Sequence, residues 1–155
     1  GAGRRGDRRP RPKRKLWSDA STLGLGAIIV DPPNTVLQSW SLRVDIAQQK
    51  IFAAELLAGD LGAKGTNVMK SFSWVTDNDA ASRAMRRGHS ASRLGDCILA
   101  HWIRRGAPEA VTLVPSACNV ADPLSRGLPY VGAFCVHDHG AQRCRWHPPS
   151  RGGPV

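Results

Sequence analysis

Three consecutive β-type runs precede the first helix-like segment, and this order restricts the fold more than any other feature of the chain. Lys15 to Ser21 reads as the first strand. Leu25-Gly-Ala-Ile-Ile-Val follows across a Gly-containing turn, and Thr35 to Leu42 follows the Asp31-Pro-Pro-Asn turn. Connections this short make antiparallel neighbours. From Asp45 to Gly62, apolar residues recur at spacings of three or four (Ala47, Ile51, Ala54, Ala58, Leu61). This pattern predicts an amphipathic helix with Asp45 as N-cap and Gly62 and Gly65 as breaks. A fourth strand is predicted at Ser71 to Thr76, and a helix capped by Asn78 or Asp79 then runs to Gly88. A further helix spans about Ser92 to Arg105, with Leu94, Ile98, Leu99, Trp102 and Ile103 facing inward. Val111 to Val114 is the fifth strand, and Ala117 to Ser125 a last short helix whose first turn Pro123 places near Asp122. The order βββαβααβα implies an α/β domain, a central five-stranded mixed sheet flanked by helices. Trp17, Trp40, Trp74 and Trp102 all fall in these elements and read as packing.

Four acids stand where a carboxylate is a liability. Asp19 lies near the end of the first strand and Asp77 closes the fourth. Glu55, four residues after Ile51 and three before Ala58, points with the apolar stripe of its helix, and Asp122 lies in Asn119-Val-Ala-Asp-Pro-Leu-Ser-Arg. Buried acids are costly unless paired or bound to metal. The order Asp, Glu, Asp, Asp therefore reads as a metal-dependent nuclease site. A phosphodiester resists attack because its oxygens repel nucleophiles and its alkoxide leaves poorly. Two divalent ions address both problems. Magnesium takes hard oxygen ligands, so a few Asp and Glu side chains from separate elements suffice, with manganese as the substitute. Each acid alone has a structural reading, as a strand end, a helix start or a charge at a helix N-terminus. Their conjunction favours the site.

With 155 residues and 41% hydrophobic content, the chain buries one core. Lys and Arg total 22 against 12 acids, a net charge of +10, which favours a polyanionic partner such as nucleic acid. No apolar run approaches the roughly 20 residues that span a bilayer, and the Arg-rich start has no secretory apolar segment. An intracellular protein, cytoplasmic or nuclear, is expected, with no membrane partner. Residues 1–14, rich in Arg, Gly and Pro, read as a disordered basic arm, and residues 15–127 as the domain. Residues 128–155 read as a Pro-, Gly-, Arg- and His-rich tail or linker. Cys97, Cys118, Cys135 and Cys144 form no close pair and read as mostly free thiols. Cys135, His137, His139, Cys144 and His147 match zinc spacings only loosely.

Four stretches carry a family resemblance. These are Trp17-Ser-Asp-Ala-Ser-Thr-Leu-Gly-Leu-Gly-Ala-Ile-Ile, Ala53-Ala-Glu-Leu-Leu-Ala, Trp74-Val-Thr-Asp-Asn and Asn119-Val-Ala-Asp-Pro-Leu-Ser-Arg-Gly. In this order and at these separations they resemble the successive motifs of ribonuclease H domains in retroelement reverse transcriptases. The likeness is greatest to Ty3/gypsy and DIRS-like elements, including the tyrosine-recombinase elements of trypanosomatids. The resemblance spans about residues 16 to 127. It implies the ribonuclease H-like fold and two-metal cleavage of the RNA strand of an RNA/DNA hybrid. It also implies a reverse transcriptase domain of the same polyprotein as partner, and Asp19, Glu55, Asp77 and Asp122 as the metal-binding carboxylates. The chain departs from the family in two places. Val111 to Asn119 holds no His where relatives often carry one, and Gly88 to Ser92 leaves no room for the basic helix that many cellular relatives insert. The small Ser21 beside Asp19, together with Asn78, Arg83, Arg86 and Arg87, are the candidate nucleic-acid contacts; tight-turn packing and a solvated helix face are the alternatives. His89 reads as a loop residue near phosphates. A catalytically inactive nucleic-acid-binding or scaffold module of the same fold is the alternative function, and an integrase or transposase core is a third.

Overall fold

The computed structural model describes residues 13–65 and 71–129, together with the backbone of Phe134–His137 and Cys144–His147. Five strands form one sheet: β1 (Arg14–Ser21), β2 (Gly24–Asp31), β3 (Thr35–Arg43), β4 (Phe72–Thr76) and β5 (Ala110–Leu113), in the order β3-β2-β1-β4-β5. The first three pair antiparallel, whereas β4 runs parallel to both β1 and β5. The helices are α1 (Ile51–Lys64), α2 (Asp79–Arg87), α3 (Arg93–Gly106) and α4 (Asp122–Ser125). A separate antiparallel pair, β6 (Phe134–His137) and β7 (Cys144–His147), follows. The expected basic arm lies outside the described residues up to position 12, and so do the side chains of the cysteine and histidine tail.

Both faces of the central strands are covered, which explains their nearly unbroken apolar runs. Alternate residues feed two cores. Leu16, Ala27, Ile29 and Trp74 pack with Leu56, Leu99 and Trp102 from α1 and α3. Trp17, Ile28, Val36 and Val75 pack on the other face with Val120, Ala121 and Leu124. Trp74 and Trp102 meet edge to face at 4.8 Å, and Trp40 is partly buried against the helical side.

Several element boundaries differ from the sequence-based expectation. Asp45 is exposed and caps nothing. The N–H of Val44 bonds the Leu23 carbonyl and that of Ile46 bonds the Thr22 carbonyl, so the backbone stays tied to the β1–β2 turn. The chain reaches α1 only through a 3-10 turn at Gln48–Lys50, leaving Ala47 exposed. Gly62 does not break α1. It lies within the helix, where its missing side chain lets α1 pack closely on β1: a Cβ there would meet Leu16 Cδ1 at 2.6 Å. Asn78, not Asp79, caps α2, accepting from the Ala81 N–H at 2.8 Å. Gly88 closes that helix in the left-handed conformation, φ 80°. On α3 only the narrow stripe Gly95, Leu99 and Trp102 is buried, and Leu94 and Ile103 are exposed, no element among the described residues covering them. The expected helix over Ala117–Ser125 is split into a 3-10 turn at Ser116–Cys118 and the short α4, because Asn119 is extended between them. Cys97 is a free, exposed thiol, but Cys118 is disulfide-bonded, which corrects the expectation of mostly free thiols there.

Candidate active site

Three elements deliver the acids to one place. Trp17 on β1 pairs with Val75 on β4 in parallel register, so Asp19 and Asp77, each two residues further on, arrive at neighbouring strand ends. Glu55 comes from the buried side of α1, where its Oε1 accepts the Ala20 N–H at 3.2 Å. Asp19, Glu55 and Asp77 each offer a carboxylate oxygen within 4.8 Å of the others. Asp19 and Glu55 are each 3% exposed and Asp77 is half-buried. None of the three has a salt-bridge partner among the described residues.

Unpaired burial controls the protonation of these groups. Desolvation, reinforced chiefly by the Asp77 charge, raises Asp19 to about 8. Desolvation and the charges of Asp19 and Asp77 raise Glu55 to about 10. Asp77 is also raised, chiefly by desolvation, while a hydrogen bond from the Asn119 side chain opposes the shift. Glu55 Oε2 is buried with no donor. Three acids held together without a cationic side chain, one with an orphaned oxygen, suit a hard divalent cation. The donor set is all carboxylate, so the residues fit such an ion.

Asp122 stands at the rim, outside the group of three. It is near enough that its charge raises Asp19 and Asp77, and its own side chain is 37% exposed and pairs with Arg126 at 3.3 Å. The structure thus joins three of the predicted acids and places the fourth beside them.

The other candidates divide. Ser21 is buried, and its hydroxyl donates to the Ser125 carbonyl at 2.7 Å. Asn78 lies next to Asp77 with its amide oxygen committed to the cap. Arg86 donates to the Val111 carbonyl on the open edge of β5 at 2.9 Å. Arg83, paired with Asp79 at 2.9 Å, and Arg87 instead flank a groove of about 510 Å³ with Phe52, Ala84, His89 and Ser92.

Two residues near the acids had no assigned role in the sequence. Asn119, 2% exposed, donates from Nδ2 to the Ser18 carbonyl and accepts the Ala121 N–H, both at 3.0 Å, while its side chain also bonds Asp77. Ser125 lies between two acids, its hydroxyl 2.7 Å from the Asp122 carbonyl and 3.3 Å from Asp19 Oδ2. The signal available was position alone: polar residues within three of Asp122 in an otherwise apolar turn.

No protein-family model matches the chain, and no curated protein matches it. Solved structures do. The N-terminal RNase H domain of a Mycobacterium tuberculosis protein, solved as a fusion with maltose-binding protein, is 18% identical, with a TM-score of 0.58 over 76% of this chain and 98% of that one. RNase H1 of the halophilic archaeon Halobacterium salinarum is 13% identical, with a TM-score of 0.60 over 73% and 94%. The foamy viral protease-reverse transcriptase, solved with an RNA/DNA hybrid, is 14% identical, with a TM-score of 0.58 over 76% of this chain and 21% of that one. The fold is ribonuclease H-like: a five-stranded mixed sheet with flanking helices.

Proposed function

We propose that this chain is a ribonuclease H that cleaves the RNA strand of RNA/DNA hybrids with divalent metal ions. The observation that carries this reading is the convergence of Asp19, Glu55 and Asp77 within 4.8 Å, the first two buried and the third half-buried, without a cationic partner among the described residues. A module that only bound polyanions would gain nothing from clustered negative charge, so the inactive-scaffold reading is disfavoured. More particularly, the domain serves reverse transcription of a retroelement, linked in one polyprotein to its polymerase. The four motifs support that setting. So does likeness to a viral enzyme of which this fold is about a fifth.

Asp19, Glu55 and Asp77 would hold the ions, Mg2+ or Mn2+, with Asp122 completing the set. Such ions supply a nucleophilic water at neutral pH and stabilise the departing oxygen. The chain's own residues orient the acids: the Ala20 N–H fixes Glu55, and Asn119 holds Asp77 against β1. Arg83 and Arg87, which line a groove on the helix that begins beside Asp77, would meet phosphates of the hybrid. Among the described residues no helix is long and apolar enough to cross a membrane.

Cleavage of a labelled RNA/DNA hybrid, with Mg2+, Mn2+ or chelator and beside Asp19→Asn, tests the reading. Metal-dependent cutting of the RNA strand that the variant loses is the expected result. Tight hybrid binding without cutting would leave the scaffold reading.

A further inference from the structure

The rim acid Asp122 sits on a helix of four residues, too short to hold its own direction. Such a helix also leaves its last carbonyls without intrahelical partners. Here the last two are met by hydroxyls from the sheet, the Leu124 carbonyl also accepting the Gly127 N–H at 3.2 Å. Ser21 Oγ on β1 donates to the Ser125 carbonyl at 2.7 Å, and Ser41 Oγ on β3 donates to the Leu124 carbonyl at 2.5 Å. A third hydroxyl, that of Ser125, closes the turn from within by donating to the Asp122 carbonyl at 2.7 Å and lies 3.3 Å from Asp19 Oδ2. One proton cannot serve both acceptors, and the shorter contact takes it. Gly26 on β2 completes the seat: a Cβ there would lie 2.6 Å from Leu124 Cβ and 2.7 Å from the Ser125 nitrogen.

We propose that Ser21 and Ser41 form a hydroxyl clamp that seats α4 on the sheet, with Ser125 closing the turn from within, and thereby position the Asp122 carboxylate beside Asp19. The inference rests on the metal-site reading above. Ser21 is the central member. It lies two residues after Asp19 on the same strand, so both side chains leave the same face of β1. One strand therefore carries an acid of the cluster and grips the helix that bears the rim acid. The Ser21 hydroxyl is 8% exposed in residue terms, donates to Ser125 and accepts the Leu23 N–H at 3.0 Å, so it is committed to the clamp. Ser21, Ser41 and Ser125 are positioning residues that act through Asp122.

A double-mutant cycle separates this role from plain stabilisation. Mn2+ affinity is measured by calorimetry for the wild type, Ser21→Ala, Asp122→Asn and the double variant, each shown to be folded by its melting transition. Asp19→Asn serves as the control for binding at the cluster. Ser21→Ala is expected to weaken Mn2+ about tenfold, the low end of what loss of an outer hydrogen-bonding partner costs a metal site. In the Asp122→Asn background the same change is expected to cost less than about twofold. Hybrid cleavage should show kcat falling with KM little changed. An unchanged Mn2+ affinity in Ser21→Ala, or an equal loss in both backgrounds, overturns the clamp. Should Ser21→Ala fail to fold, the same cycle with the exposed Ser41 decides by the same criteria. A wild type that binds Mn2+ without cutting hybrid sinks the nuclease reading while the cycle still judges the clamp; a wild type that binds no Mn2+ overturns both.

Discussion

Glu55 directs Oε1 to the Ala20 N–H at 3.2 Å and keeps Oε2 buried with no donor. Half of this carboxylate is fixed by the strand that bears Asp19, and the other half lacks a partner. A buried orphaned oxygen destabilises the metal-free fold by about 1–3 kcal/mol, and by more when charged. Glu55→Gln is therefore expected to abolish hybrid cleavage and weaken Mn2+ binding at least tenfold. It should also raise the metal-free melting midpoint at pH 8–9 by several degrees. Calorimetric scans with and without Mn2+ check both halves. A variant that cleaves normally contradicts the assignment.

The pH dependence follows from the raised acids. Their folded-state values, about 8 for Asp19 and about 10 for Glu55, exceed those of an unfolded chain, near 4. The native state therefore binds more protons through this window, and stability falls as pH rises. The favourable contribution is fully present below about pH 4 and is lost as pH passes through 8 and then 10. Without metal, the melting midpoint should drop steadily from pH 5 to 9. Saturating Mg2+ or Mn2+ should flatten the slope, because cation binding favours the deprotonated acids and releases protons. Equal slopes with and without the ion would refute cation binding at this cluster.

Asn119 joins β1, Asp77 and the approach to α4 through one amide. Asn119→Ala orphans the Ser18 carbonyl and the Ala121 N–H, at about 1–3 kcal/mol for a buried group. The expected result is a lower melting midpoint and a kcat reduced at least tenfold, with the KM for hybrid nearly unchanged. Steady-state cleavage kinetics below the melting transition decide it.

Gly26 is required by close approach. In Gly26→Ala the new methyl meets Leu124 Cβ and the Ser125 backbone, atoms that move only if α4 moves. Overpacking of this kind costs about 1–3 kcal/mol. Cleavage should fall more than stability, as judged by activity measured well below the melting midpoint.

The three neighbouring arginines of α2 should behave differently. Arg83→Ala and Arg87→Ala, on the groove, are expected to weaken hybrid binding and each reduce the salt slope of log K by about 1. Arg86→Ala removes a cover from the β5 edge and should leave the slope unchanged while promoting self-association. Binding titrations across salt concentrations and light scattering distinguish the two behaviours.

The sheet, the order of its strands and helices, and the acids Asp19, Glu55 and Asp77 could be read from the chain itself. Apolar periodicity and the punctuation of Gly, Pro and Asn are local, and a buried acid interrupts such a pattern visibly. The motif order extended that reading to Asp122. The sequence did not reveal the start of α1, which depends on bonds from Val44 and Ile46 back to Leu23 and Thr22 in the β1–β2 turn. Nor did it reveal that Gly62 is a point of contact with Leu16, or that Asn119 and two serines hold the last short helix to the sheet while a third closes its turn. Ser21 and Ser125 are 104 residues apart, and no local pattern signals a hydrogen bond across that distance. Composition and periodicity determined which residues turn inward. Only tertiary packing decided which hydroxyl meets which carbonyl, and so how the fourth acid stands beside the other three, because those bonds exist only once the strands and α4 are already in place.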